Sequence, residues 1–345
     1  MSKYTAFRAG KVSFLISKKT VWSIVILTAA TLALFIISTG VGSVRILPLD
    51  VIKVLIGAGE QTHAVIVQTL RLPRMIIAVL AGSALAVSGA ILQGMIRNPL
   101  ASPDIVGITG GAALGAVSFF FFLGDKVSIH WLPLCAIAGA FISTLLIYTL
   151  AWKHGVSPLR MVMIGIGMSA AYSSVSYMLM ISGPIILANK SLTFMTGSIY
   201  GVSWEKDVWV LTPWIIVLMP IALLLAREVN AQELGQEIAV SIGSVVQRNR
   251  FLLLMISVAL AGAAVAIGGA ISFIGLMAPH IARKLVGPAF GGVLPVSALI
   301  GALILLAADL AARTLFSPLD IPAGVFTAAI GAPFFMYLLY RNRQA

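Results

Sequence analysis

Apolar runs about the length of a bilayer crossing, roughly 20 residues, recur along the whole chain and leave few folds open. They lie near residues 20–40, 73–97, 104–124, 131–152, 159–182, 208–227, 251–273, 275–287, 293–312 and 324–340. A chain of 345 residues that is 60% hydrophobic and 10% charged has far more apolar side chain than a soluble core could hold. Mean hydropathy is +1.05. No stretch between the runs is long enough for a soluble domain, so residues 1–345 read as one all-α, polytopic membrane domain of about ten spans. The eighth run is short. At about 1.5 Å per residue it cannot cross a roughly 30 Å hydrocarbon layer alone, so neighbours must shelter it.

A formal charge of +12 suggests nucleic acid only if the basic residues form a stripe, and the 23 Lys and Arg are scattered through short flanks instead. Topology explains them better. Ten passes with the N-terminus inside put 15 basic residues in the cytoplasm and 8 outside, whereas nine passes give 12 against 11 and erase the positive-inside bias. Both termini are therefore expected in the cytoplasm, with residues 1–19 a basic cytoplasmic tail. That tail resembles a signal-peptide n-region, but no small-x-small cleavage site follows, so the first run is expected to stay as an uncleaved helix. Cys135, alone in an apolar run, can form no internal disulfide and is expected simply to pack.

The chain also repeats itself. "AGSALAVSGAI" at 81–91 realigns on "AGAAVAIGGAI" at 261–271 with seven identities in eleven positions, and the same offset pairs Pro99 with Pro279 and Val106-Gly107 with Val286-Gly287. Helix 2 then corresponds to helix 7. Five passes separate them, so the copies run in opposite directions, an inverted-topology repeat of helices 2–5 on 7–10. Small residues at Ala78, Gly82, Ala86, Ala90 and Gly94, and at Gly107, Gly111 and Gly115, each form one helix face. Such faces hold helices together in lipid, where association brings no hydrophobic gain.

Few residues could drive transport by themselves. Asp309 is the only acid well inside an apolar run, and Arg313, one turn on, can neutralise it. Read as an exposed pair, its loss in Asp309→Asn is expected to cost about 1 kcal/mol or less, because Arg313 can snorkel outward. His280 follows a proline and has no second ligand at metal spacing; a hydrogen bond at a helix entry is expected of it, and no metal or cofactor. No GxxxxGK[ST] occurs, so no nucleotide phosphate is cradled and no catalytic residue is expected. If ATP powers transport, another subunit hydrolyses it. The docking element would then be the longest polar segment, residues 227–250 with 228–249 at its centre, where Glu233, Gly235, Glu237, Ala239 and Gly243 fall in about two short amphipathic turns.

"LRLPR", "GAILQGMIRNPLASPDIVGITGGAALG", "LGQEIAVSIG" and "SFIGLMAPHIARKLVG" resemble the FecCD-type permease subunit of ABC importers for iron-siderophores, haem and vitamin B12, over about residues 20–341. The resemblance implies a type II ABC importer permease in a bacterial cytoplasmic membrane, embedded in lipid and paired with a second permease subunit, identical or paralogous. ABC ATPase subunits lie below and an extracytoplasmic binding protein or lipoprotein above. In the family, arginines matching Arg71, Arg74 and Arg313 meet acidic residues of the binding protein, and positions matching Asn98 and Leu100, and Ser157 and Pro158, form the cytoplasmic gate. Ser157-Pro158-Leu159 departs from the vitamin B12 type, which carries consecutive hydroxyl residues there. A ferric siderophore is the expected cargo, with haem or vitamin B12 as alternatives; five methionines, Met161, Met163, Met168, Met178 and Met180, fit an adaptable wall or ordinary packing. An ion-coupled carrier would need Asp309 as its coupling carboxylate. A channel would need a polar ring, and none is found.

Overall fold

The computed structural model describes residues 4–9, 12–42, 44–124, 126–153, 157–317 and 319–342. Strands β1 (Tyr4–Ala9) and β2 (Val12–Ser17) pair antiparallel with Tyr4 opposite Ser17. Helices follow: α1 (Lys18–Gly40), α2 (Pro48–Leu55) and α3 (Gln61–Val65), which runs through a π-helical turn at Ile66–Arg71 into α4 (Leu72–Ile96). Next come α5 (Ile108–Phe122), α6 (Leu132–Ala151), α7 (Pro158–Ser182), α8 (Ile185–Thr196) and α9 (Trp209–Leu224). The chain ends with α10 (Ala226–Glu233), α11 (Gln236–Ser241), α12 (Val246–Gly268), α13 (Ile274–Val286), α14 (Phe290–Thr314) and α15 (Ala323–Asn342).

All ten expected segments carry a helix, in α1, α4–α7, α9 and α12–α15. Among the described residues, eight helical stretches are long and apolar enough to cross a membrane; α5, with 15 residues, and α13, with 13, fall short. The tail read as basic and cytoplasmic carries the β-hairpin, a departure from an all-helical chain confined to its first residues. Short helices α2, α3 and α8 have no counterpart in the apolar-run reading, because helices of 5 to 12 residues are too brief to register as membrane-length runs.

Helix α4 is the hub. In its most apolar stretch 78% of residues are buried, against 17% in α7, whose outward face needs lipid or another subunit to cover it. The small-residue faces act as close-packing surfaces. A Cβ on Gly82 would stand 2.4 Å from the backbone oxygen of Gly301, and one on Gly89 only 1.9 Å from that of Gly275, so α4 meets α14 and α13 backbone to backbone. That contact shelters the short α13, whose residues Ile274 to Pro279 are all buried. Gly111 and Gly115 do the same between α5 and α6, the latter against the Cys135 carbonyl.

The inverted repeat appears in the order of helix lengths, long-short-long-long in α4–α7 and again in α12–α15. It appears in packing too. Gly82 of α4 packs on α14, the third helix of the other set, and its counterpart 180 residues on, Gly262 of α12, packs on Ala140 of α6. The ungapped offset fails beyond that first helix. Pro99 lies in the turn after α4 while Pro279 lies inside α13, and Gly107 starts α5 while Gly287 ends α13. The copies differ in connection length there, so aligned numbers no longer mean equivalent positions.

Candidate functional site

The three arginines expected to face a partner all lie at one end of the bundle, and all are engaged within the chain. Arg71, only 9% exposed, donates to the carbonyls of Thr39 (2.9 Å), Gly40 (3.0 Å) and Val44 (2.6 Å), so the loop after α1 wraps its guanidinium. Arg74 Nε donates to Asp309 Oδ1 at 2.8 Å, and its two Nη atoms grip Asp320 at 2.7 and 2.8 Å, a bidentate fork. The Arg74 guanidinium also lies 5.7 Å from the Tyr200 ring centroid. Arg313 donates to the carbonyls of Val41 and Ser38 and to the Ser38 hydroxyl, and its Nε stands 3.3 Å from Asp309 Oδ2 without hydrogen-bond alignment. Asp309 is completely buried between two cations. The expectation that it forms an exposed pair with Arg313, removable at about 1 kcal/mol or less, is therefore corrected: the shorter contact is to Arg74, 235 residues away in sequence.

At the opposite end, α4 stops at Arg97, whose φ of +55° is left-handed. Asn98 then builds an Asx turn, its Oδ1 accepting from Leu100 N at 2.9 Å, which fixes how Leu100 is presented. Ser157 precedes α7 from extended backbone and Pro158 is its first residue, where a missing N–H costs nothing. Residues 155 and 156 of that second expected gate turn, 155–160, lie outside the described residues. The two turns share a support: a Cβ on Gly165 of α7 would meet the Ile105 carbonyl at 2.7 Å, and Ser143 of α6 donates to the Gly107 carbonyl at 2.9 Å.

The polar segment 227–250 folds into the short helices α10 and α11, with Gly235 (φ +115°) between them and Gly243 (φ +87°) after them. It is clamped to the bundle. Glu228 accepts from Ser244 and Asn249, Asn230 Oδ1 accepts from Phe290 N at 2.9 Å, and Val229 lies against Gly94. Ala239 is buried with Ala231 and Val246. Glu237 is exposed, as are Leu234, Ile238, Val240 and Ile242, so the crest of the segment is apolar. Glu233 is half-buried, and burial holds its carboxyl above the usual range while Arg283 partly opposes this.

Sequence reasoning passed over Asp104 as the first residue of the expected run 104–124; helix α5 starts only at Ile108, which leaves Asp104 in the loop before it. Its carboxylate accepts from Phe273 N at 3.3 Å and from the Thr109 hydroxyl, and no cation lies within ion-pair distance among the described residues. Phe273, at φ +66°, is a bulky residue in left-handed backbone. Beside them is a cavity of about 280 Å³ that also touches Ser102, Ser272 and Phe335. Burial pushes the Asp104 carboxyl up to about 6, with Thr109 and Phe273 pulling the other way. A raised carboxyl pKa means stability that is full below the ordinary value and is lost as pH rises through the folded one. Wild type should thus lose thermal stability in detergent between about pH 4 and 7, and Asp104→Asn should flatten that fall; superimposable pH profiles would refute the assignment.

His280 lies inside α13 with its ring edge-on to Phe334 at 5.7 Å, and its Nε2 has no protein partner. The hydrogen bond expected of it at a helix entry is not formed, since that helix begins six residues earlier, at Ile274. No cluster of metal-ligating residues is found among the described residues. The five α7 methionines do not form one wall: Met161 is buried in the core while Met163 and Met178 point outward.

Residues 30–341 match the FecCD transport family. Over 337 residues the chain is 48% identical to YfhA of Bacillus subtilis (strain 168), described as a siderophore transport system permease protein, covering 95% of this chain and 97% of that one. It is 46% identical over 344 residues to the achromobactin transport system permease protein CbrC of Dickeya dadantii (strain 3937), covering 100% and 98%. An inward-facing structure described as of the metal-chelate ABC transporter type superposes with a TM-score of 0.81 at 30% identity, covering 92% of this chain and 98% of that one.

Proposed function

Because the chain belongs to the FecCD transport family and is the permease subunit of an ABC importer, we propose that it carries a ferric siderophore inward, driven by separate ATPase subunits acting on α10 and α11. The observation that carries this reading is the clamped hairpin. A segment tied to α12 and α14 through Glu228 and Asn230, packed on α4 through Val229, and topped by exposed apolar residues can pass a push to the bundle as a rigid body. The siderophore cargo is supported by what the relatives YfhA and CbrC are described as transporting.

On this reading the hairpin end and both termini face the cytoplasm, in keeping with the excess of basic residues there. Asn98, Leu100, Ser157 and Pro158 then border the inner gate. The arginine end faces the binding protein. Arg71 and Arg313 shape that seat from within, and Arg74, forked onto the partly exposed Asp320, carries the ion pair nearest its surface. The poorly covered face of α7 is where lipid or a second permease subunit packs.

The test is reconstitution in liposomes with the ATPase subunits and binding protein. Uptake of ferric chelate should require ATP and ignore an imposed proton or sodium gradient. Glu237→Lys should cut uptake per ATP by about tenfold or more, since facing like charges at a contact cost several kcal/mol, without changing affinity for the binding protein. Gradient-driven uptake by this chain alone would overturn the reading.

A further inference from the structure

We infer that a cavity at the arginine end is a receiving site for an anionic, oxygen-rich metal chelate, with Lys190 as its electrostatic anchor; the inference rests on the importer reading above. The cavity, of about 360 Å³, lies between the C-terminal end of α5, helix α8 and the turn that follows α8. That is at the lower end of the size range of small-molecule sites, roughly 300–1,000 Å³. Its apolar surface comes from Phe120, Phe194 and Tyr200, the first two edge to face with centroids 6.4 Å apart. Its polar groups are Lys190, Asn189 and Thr193, together with Ser198, whose Oγ accepts from Tyr200 N at 3.2 Å and so fixes the turn backbone there.

Charge decides the class of ligand. Lys190 makes no ion pair among the described residues, and no carboxylate lines the cavity. The neighbouring cation, Arg74 behind the Tyr200 ring, is already neutralised by Asp309 and Asp320. The site therefore holds one uncompensated ammonium in a wall shared with aromatic side chains, with an amide and a hydroxyl beside it. A ligand with outward carboxylate or similar anionic oxygens gains charge-assisted hydrogen bonds there, and its carbon framework covers the rings. A cation would be repelled. A neutral chelate would gain only the ring contacts.

The site is preorganised. Ala270 N donates to the Phe194 carbonyl at 2.9 Å and Gly324 N to the Gly197 carbonyl at 2.9 Å, so the end of α8 is pinned to the turn before α13 and to the start of α15. Rigid walls lower the ordering cost of binding. The same turn reaches Asp104 through Phe273 N, so an occupant of this mouth bears on the loop that carries Asn98 and Leu100.

The experiment uses the permease assembled with its ATPase subunits in nanodiscs, equilibrated against radiolabelled ferric dicitrate, which is anionic, and against a neutral ferric trihydroxamate chelate. Wild type should retain the anionic chelate, more weakly as salt is raised. Lys190→Ala should weaken that binding about tenfold and Lys190→Glu should weaken it further, in line with loss and then reversal of one charge-assisted contact. The neutral chelate should respond to neither substitution. No binding of the anionic chelate by wild type above empty nanodiscs, equal affinity in all three proteins, or an equal loss for the neutral chelate would each overturn the inference. ATP-driven uptake by the same proteins reconstituted in liposomes with the binding protein separates the two readings: its failure counts against the importer assignment, and intact uptake with charge-blind binding counts only against Lys190.

Discussion

Asp309→Asn should destabilise the folded protein by about 3 kcal/mol or more, the range found when one member of a buried ion pair is removed. The carboxylate is fully buried, receives Arg74 Nε at 2.8 Å and faces Arg313 Nε at 3.3 Å. Neither arginine can snorkel away. Arg74 is held by both oxygens of Asp320, and Arg313 by the Ser38 and Val41 carbonyls, so both stay where they are with a neutral amide between them. Asp320→Asn removes a carboxylate from the same arginine at a partly exposed position, where pairs are worth about 1 kcal/mol or less. Thermal unfolding in detergent should rank Asp309→Asn well below Asp320→Asn. An equal shift for both would show that burial around Asp309 does not confer the strength claimed for it. Uptake by whatever Asp309→Asn protein survives should still depend on ATP, since the carboxylate holds helices together and carries no coupling ion.

How much of this was legible depended on sequence distance. The Asx turn at Asn98 and the helix start at Pro158 are set by residues within three or four positions, so their chemistry is written locally. The small-residue faces of α4 and α5 were legible for the same reason, although their partners Gly275, Gly301 and Cys135 were not. Asp309 shows the opposite case. Arg313 was visible as a helical neighbour, but the stronger contacts come from Arg74 and, through it, Asp320, and nothing in a single sequence reports a pairing across 235 or 246 residues. Asp104 escaped because it reads as the edge of an apolar run, whereas its loop folds back against α7 and the turn before α13. Helix α8, which walls the outer cavity, is only 12 residues long and was invisible to a search for membrane-length runs.

The inverted repeat allows one substitution to be compared with itself. Gly82→Ala and Gly262→Ala change equivalent positions of α4 and α12, and both gain up to about 1 kcal/mol of helix propensity. Their surroundings differ. A methyl at Gly82 would sit 2.4 Å from the Gly301 oxygen and 2.8 Å from its carbonyl carbon, and backbone cannot rotate aside, so α4 and α14 must separate along a contact in which Gly301 is equally tight against Gly82. Overpacking of this kind costs about 1–3 kcal/mol and sometimes more, and a backbone neighbour puts it at the upper end. A methyl at Gly262 would meet the Ala140 side chain at 3.2 Å, which needs to yield by a few tenths of an ångström, and the Ile137 Cα at an ordinary 3.9 Å. Gly262→Ala should therefore be close to neutral, Gly82→Ala should lower the unfolding midpoint clearly, and Gly89→Ala, whose methyl would stand 1.9 Å from the Gly275 oxygen, should yield no folded protein. Equal midpoints for Gly82→Ala and Gly262→Ala would mean that α4 and α14 can part without loss, and the close backbone contact would then not be what seats α4 at the centre of the bundle.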